Sequence, residues 1–180
     1  MMRLSIRRRV AALCLATGAA LFIALPAHGA TATGNLAVGA SIAANCTIAT
    51  APVAFGAYDP VFVNAVTAKT GTGSITIACT AGSAPKISLG LGNNSVAGVR
   101  KMANGAERLN YELYQPPDTN PGTACGALTT VWGTVGANIF TPTSPASKAA
   151  RTYNVCGSIA AGQDVGIGAY SDTVVATVTF

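Results

Sequence analysis

Apolar and polar positions alternate with a period of two in two stretches near opposite ends of the chain. Leu36, Val38, Ala40 and Ile42 alternate with Ala37, Gly39 and Ser41, and Val174, Ala176, Val178 and Phe180 alternate with Val175, Thr177 and Thr179. Alternation of this kind predicts half-buried β-strands. The later stretch ends on Phe180 with no turn or strand after it. The earlier one precedes Cys46, where a closed sandwich has no obvious place for it. The pattern predicts that the first strand of one molecule completes the sheet of the next, as in a self-assembling fibre subunit.

Further alternating runs cover residues 74–79, 86–91 and 109–114, with Ile75 and Ile77 on one face of the first. Between the runs lie Gly92-Asn93-Asn94, Asn104-Gly105, Pro116-Pro117-Asp118 and Asn120-Pro121-Gly122. These residues tolerate left-handed backbone or fix φ through proline, so they read as turns. Asn104-Gly105, between Met102 and Leu109, is expected to tip a hairpin. Residues 115–147 are the least regular and are expected to hold two short strands and long loops, without helices. Short strands with frequent turns, and no long helical period, predict one all-β domain shaped as an immunoglobulin-like sandwich.

Composition changes the picture once the N-terminus is set aside. Arg3, Arg7, Arg8 and Arg9 precede an apolar run over residues 10–25, and Ala27 and Gly29 supply the small residues of a cleavage site. Residues 1–29 therefore read as a secretory signal peptide, with cleavage expected after Gly29 and Ala30 or Ala32 as alternatives. Cys14 is a poor lipidation site, because Leu13 precedes it and the apolar run continues past it. Four of the 11 lysines and arginines lie in that leader and none of the six carboxylates does, leaving a net charge of +1. The basic character thus belongs to the leader, and nothing supports nucleic-acid binding. Arg100, Lys101 and Arg108 form the nearest approach to a basic cluster and read as a solvated hairpin end.

Cys46, Cys79, Cys125 and Cys156 survive processing. An even number in an exported chain predicts two disulfides. Three connectivities are possible, and pairing sequence neighbours, Cys46–Cys79 and Cys125–Cys156, is the one expected. The spacings are too wide for a zinc site, and His28 lies in the leader, so neither a metal nor a cofactor is expected. Without histidine, serine and cysteine hydrolase arrangements are excluded. Asp59, Glu107, Glu112, Asp118, Asp164 and Asp172 offer no convergent carboxylate pair; Asp59 and Asp172, each beside a tyrosine, read as turn or strand-end residues. The chain does not read as an enzyme.

Several segments, taken in order, carry a resemblance. They are Cys46-Thr47-Ile48, Phe55-Gly56-Ala57-Tyr58-Asp59, Ile75-Thr76-Ile77-Ala78-Cys79 and Arg100-Lys101-Met102, then Leu109-Asn110-Tyr111-Glu112-Leu113-Tyr114, Trp132-Gly133 and the closing run from Gly168-Ala169-Tyr170-Ser171-Asp172 to Phe180. Together they resemble the spore coat protein U domain family, which includes pilins of archaic chaperone–usher pili. The resemblance implies an incomplete immunoglobulin-like β-sandwich, completed by donor-strand exchange: a periplasmic chaperone fills the groove first, and at the outer-membrane usher the N-terminal extension of another subunit replaces it. It implies a 30–42 donor segment with Leu36, Val38 and Ala40 as plugs and Ile42 at the junction, and a 43–180 pilin domain. Val174, Ala176, Val178 and Phe180 would form one wall of the acceptor groove, the terminal carboxylate serving as an anchor for the chaperone. Tyr111, Tyr114, Trp132, Phe140 and Tyr170 read as core or groove-lining residues. The implied role is a rod subunit of a surface pilus, serving attachment and biofilm formation. The alternatives are a coat protein of the same fold, or a monomeric carbohydrate-binding adhesin in which residues 36–42 fold back as an intramolecular strand.

Overall fold

The computed structural model describes residues 29–180; the leader expected over residues 1–29 lies outside them but for Gly29. The chain divides into two units, Met1–Ala40 and Ser41–Phe180. In the first, residues 29–40 form no helix or strand. The alternating stretch at 36–42 is therefore not a strand paired within this chain.

The second unit is built around β2 (Lys69–Cys79), whose Ile75, Ile77 and Cys79 point into the core while Ser74, Thr76 and Ala78 face outward. Such a strand must be covered on one face and paired on both edges. One edge takes β1 (Cys46–Ala54), with Cys46 opposite Cys79 and Ile48 opposite Ile77. The other takes β7 (Arg151–Ile159), with Ile75 opposite Tyr153. On the outer face the Thr76 and Thr152 hydroxyls share a 2.8 Å hydrogen bond. β6 (Glu112–Tyr114) pairs with the far edge of β7 and completes the sheet β1-β2-β7-β6.

A second sheet holds β3 (Lys86–Leu89) and β8 (Ala176–Thr179), antiparallel, with Ile87 opposite Val178. A hairpin of β4 (Lys101–Asn104) and β5 (Glu107–Asn110) turns through Gly105, at φ 57°. That is the hairpin expected at Asn104-Gly105. The single strand expected over 109–114 breaks in two at Tyr111: β5 pairs with β4, a ladder that the Tyr111 N to Arg100 O bond continues, whereas β6 from Glu112 pairs with β7 in the other sheet. With the hairpin set aside, the strands lettered in chain order give one sheet A-B-E-D and one C-F. This is the immunoglobulin arrangement, in which a seventh strand, G, lies beside F. Among the described residues no strand pairs with the outer edge of β8.

The core between the sheets is aromatic. Trp132, Phe140 and Tyr153 pack in sequence, tilted at the first step and edge-on at the second, with ring centroids 5.1 Å apart at each, and Trp132 Nε1 donates to the Ile87 carbonyl at 2.9 Å. Both expected disulfides are present, closing separations of 33 and 31 residues. Residues 115–147 depart from expectation. Instead of two short strands they hold a single 3-10 turn at Gly136–Asn138 and two isolated bridges, Val131 to Tyr114 and Phe140 to Ile87. Single bridges suffice because Trp132 and Phe140 anchor the segment by burial, at 0% and 2% exposure. A four-residue helix, α1 (Val63–Val66), caps the loop ahead of β2.

Candidate functional site

The open side of the sandwich lies where the missing strand would run. Val175 O accepts from Gly90 N on the β3 side. Backbone direction alternates along a strand, so the amides and carbonyls of Ala176 and Val178 point to the outer edge. Val174, Ala176 and Val178 are partly buried against the core, and Val174 and Ala176 line a cavity of about 370 Å³. The opposite wall is the end of β1, with Pro52, Val53 and Phe55, and the floor is Ile75, Leu89 and Leu113. A second cavity of about 710 Å³ continues from it toward Tyr58, Val165 and Gly168. The two share Val53, Phe55, Met102 and Tyr170, so they form one groove.

Glycines set the depth of this groove. A Cβ on Gly157 would lie 2.6 Å from Phe55 Cζ and 2.8 Å from Val53 Cγ1, and one on Gly71 would lie 2.8 Å from Phe55 Cδ1. The bare backbone of β2 and β7 therefore forms a seat for the Phe55 ring, which also meets Tyr111 edge-on at 6.3 Å.

One side of the groove is polar. Tyr111 Oη donates to Asp172 Oδ2 at 2.7 Å, and Asp172 Oδ1 accepts from the Asn94 amide and Nδ2, both at 3.1 Å, and from Thr173 N at 2.8 Å. Burial, reinforced by the Asp172 carboxylate, pushes the Tyr111 phenol well above its ordinary value. Arg100 reaches carbonyls rather than solvent: Nη2 donates to Trp132 O at 2.6 Å and Gly90 O at 2.7 Å, and Nη1 pairs with Glu112. The expectation of a solvated Arg100 is thus wrong. With Leu89 O also accepting from Nη2, three main-chain carbonyls draw the guanidinium inward, while Lys101 stays half-buried in β4.

The expected site residues are distributed as follows. Val174 and Ala176 line the groove; Val178 packs opposite Ile87; Phe180 is half-exposed and lines neither cavity. Leu36, Val38 and Ile42 are exposed by 88%, 90% and 87%, and Ala40 is exposed as well. Tyr111 and Tyr170 line the groove, Trp132 and Phe140 are core, and Tyr114 lies in β6. The groove roles of Phe55 and Met102 were not anticipated. The signal for Phe55 lay in the glycines of β2 and β7, which only a large facing side chain explains. Among the described residues no cluster of histidine, cysteine, aspartate or glutamate could hold a metal ion. Asp59, Asp118 and Asp172 accept main-chain hydrogen bonds, as with Asp59 Oδ1, which accepts from the amides of Val61 and Phe62.

A sandwich of this order, open beside its last strand, invites comparison with known proteins. The family described as Spore Coat Protein U domain matches residues 32–177. The chain belongs to that family. The match begins ahead of Leu36, so the exposed alternating segment is part of what the Spore Coat Protein U domain comprises. Protein U of Myxococcus xanthus is 36% identical over 185 aligned positions, covering 94% of this chain and 97% of that protein. Among solved structures, a chain in the CsuC-CsuE chaperone-tip adhesion subunit pre-assembly complex, from archaic chaperone-usher Csu pili of Acinetobacter baumannii, superposes with a TM-score of 0.54 at 20% identity. The superposition covers 78% of this chain and 41% of the other, and it speaks to the fold. Proteins with the Spore Coat Protein U domain are structural rather than enzymatic.

Proposed function

We propose that this chain is a subunit of an exported surface fibre that polymerises by donor-strand complementation. The observation that carries the reading is the unpaired outer edge of β8 beside an apolar groove. An extended segment laid there would gain main-chain hydrogen bonds along the edge and place alternate side chains in the groove, which is β-augmentation. It would also cover an edge that otherwise invites uncontrolled association. Residues 30–42 of a neighbouring copy supply such a segment, with Leu36, Val38 and Ala40 entering the groove and Ile42 at the junction to the donor's own domain. A periplasmic chaperone would hold the groove beforehand, and an outer-membrane usher would direct the exchange. The solved complex of a chaperone with a pilus tip subunit lends support by analogy of fold. The fibre would serve attachment and biofilm formation.

A coat layer built from the same contacts is the second reading, favoured by the description of the family and by a relative matched over nearly its whole length. The test of the proposal is periplasmic expression with and without residues 30–42, followed by electrophoresis before and after boiling in detergent. A ladder that boiling destroys, present only with the segment and lost in Val38→Asp, is expected. A ladder that persists without the segment, or none with it, would overturn the proposal. Electron microscopy of the polymer separates filament from layer.

A further inference from the structure

The loop over residues 58–67 is fastened from within yet shows apolar side chains to water. Asp59 Oδ1 accepts from the amides of Val61 and Phe62, each at 3.0 Å. Buried Asn64 accepts from Asp59 N through Oδ1 and donates through Nδ2 to Thr67 O, both at 2.9 Å. Tyr58 Oη donates to Ala160 O at 2.9 Å and accepts from Gln163 N at 3.0 Å. The polar side chains hold the loop, and Phe62 and Val66 are left 79% and 84% exposed, with Val61 and Ile167 also exposed. A pinned apolar knob of this kind marks an interaction surface.

This loop and a shallow hollow occupy opposite poles of the domain. β1 ends at Ala54 and β2 begins at Lys69 on the loop's side, where Gly162 N donates to Asn64 O. Cys46 and Cys79 face each other at the far end of the same two strands. There residues 45–47 and 78–81, with Lys148, surround a hollow of about 540 Å³.

We infer that Phe62 and Val66 of one copy seat in the Asn45–Cys79 hollow of the copy that donates its strand, forming a second, head-to-tail contact in the fibre. The inference rests on the donor-strand reading, and chain geometry supplies the occupant. A strand closing the sheet beside β8 runs antiparallel to it, as in the immunoglobulin arrangement. Ile42 of the donor then leaves the groove at its Tyr58–Gly168 end, beside the knob. Only three residues separate Ile42 from Cys46, spanning at most about 14 Å between the two Cα atoms. They are clipped to their own domain: Asn45 N donates to Thr80 Oγ1 at 3.1 Å, Thr80 N to Asn45 O at 2.8 Å, and Thr80 Oγ1 to Ala43 O at 3.4 Å. So short a tether brings the donor's Cys46 pole against the acceptor's knob. Asp59 beside the knob and Lys148 at the hollow carry opposite charges. The contact joins two different patches, so it propagates along a filament.

Oxidative cross-linking tests this in the full chain. Phe62→Cys combined with Ala81→Cys, both at exposed positions, is expressed in the periplasm, polymerised and treated with diamide. A ladder that now survives boiling, seen in the double variant and in neither single variant, is expected; Val66→Cys with Thr47→Cys should repeat it. A heat-labile ladder that gives only monomer after oxidation and boiling, for both pairs, would overturn the contact and leave donor exchange standing. No ladder before boiling in the wild type would remove the donor reading, and this contact with it.

Discussion

Arg100 and Glu112 form an ion pair of unequal partners: the guanidinium side chain is 1% exposed, the carboxylate 34%. The arginine is held chiefly by main-chain carbonyls of Leu89, Gly90 and Trp132. Arg100→Met leaves those buried carbonyls without their donor, and should cost about 3–5 kcal/mol at about 1–3 kcal/mol for each unsatisfied group. Glu112→Gln keeps an acceptor for both Arg100 and Leu113 N, and should cost about 1–2 kcal/mol. Urea denaturation of the two variants checks the ranking. Equal losses would mean that the charge pair, and not the carbonyl cluster, dominates.

Tyr111 links stability to alkaline pH. Its folded pKa is raised above the ordinary tyrosine value of 10.0, first by burial and then by its hydrogen bond to Asp172. The folded state therefore retains a proton that the unfolded state loses. Tyr111's contribution is fully present below pH 10 and falls as pH rises above it. Burial raises Tyr153 in the same direction. Denaturation midpoints measured from pH 8 to 12 should fall above pH 10, and Tyr111→Phe should reduce that slope while lowering stability at neutral pH by about 1 kcal/mol. An unchanged slope would show that Tyr111 ionises equally in both states.

The seat beneath Phe55 can be probed by filling it. Gly157→Ala places a methyl group 2.6 Å from the Phe55 ring, so the ring must move or the strands must part. A loss of about 1–3 kcal/mol is expected from overpacking. Phe55→Leu in the same chain should recover part of it, because a smaller side chain clears the new methyl. A double-mutant cycle measures the coupling, and strict additivity would show that Phe55 does not rest on Gly157.

How legible the fold was depended on how each residue is used. β2 and β8 were readable because one face is buried and the other wet, which is what alternation reports. β7 was not singled out: Val155, Cys156 and Gly157 are buried in succession, the last because Phe55 covers it, and the period disappears. β1 carries small exposed residues and Pro52 at an irregularity in its register between Ala51 and Ala54, so it lacks a strand signature. Arg100 misled because composition assigns arginine to solvent, and only the three-dimensional gathering of carbonyls reverses that. The groove was half legible. Alternation marked Val174 and Ala176 as strand residues and only the resemblance implied that they wall a groove, while Phe55 and Met102 enter it from elements whose placement depends on long-range pairing.

The two disulfides should differ in what their loss exposes. Each closes a loop of just over thirty residues, so chain entropy assigns each roughly 3–4 kcal/mol. Cys46 and Cys79 sit opposite each other on paired strands, and replacing both with alanine leaves β1 held by its ladder to β2. Cys125 lies in the irregular 115–147 stretch and is joined to Cys156, buried in β7. Nearby fastenings are single bonds, such as Gly122 N to Thr152 O at 2.8 Å and Asn154 Nδ2 to Thr123 O at 2.7 Å. Cys125→Ala with Cys156→Ala should therefore open this segment locally. Limited proteolysis is expected to nick that variant between residues 116 and 130 while its β-sheet signal persists. The Cys46→Ala, Cys79→Ala variant should resist nicking there and show only a lowered unfolding midpoint. Identical proteolysis of the two would mean that the segment is held by its hydrogen bonds and not by the Cys125 link.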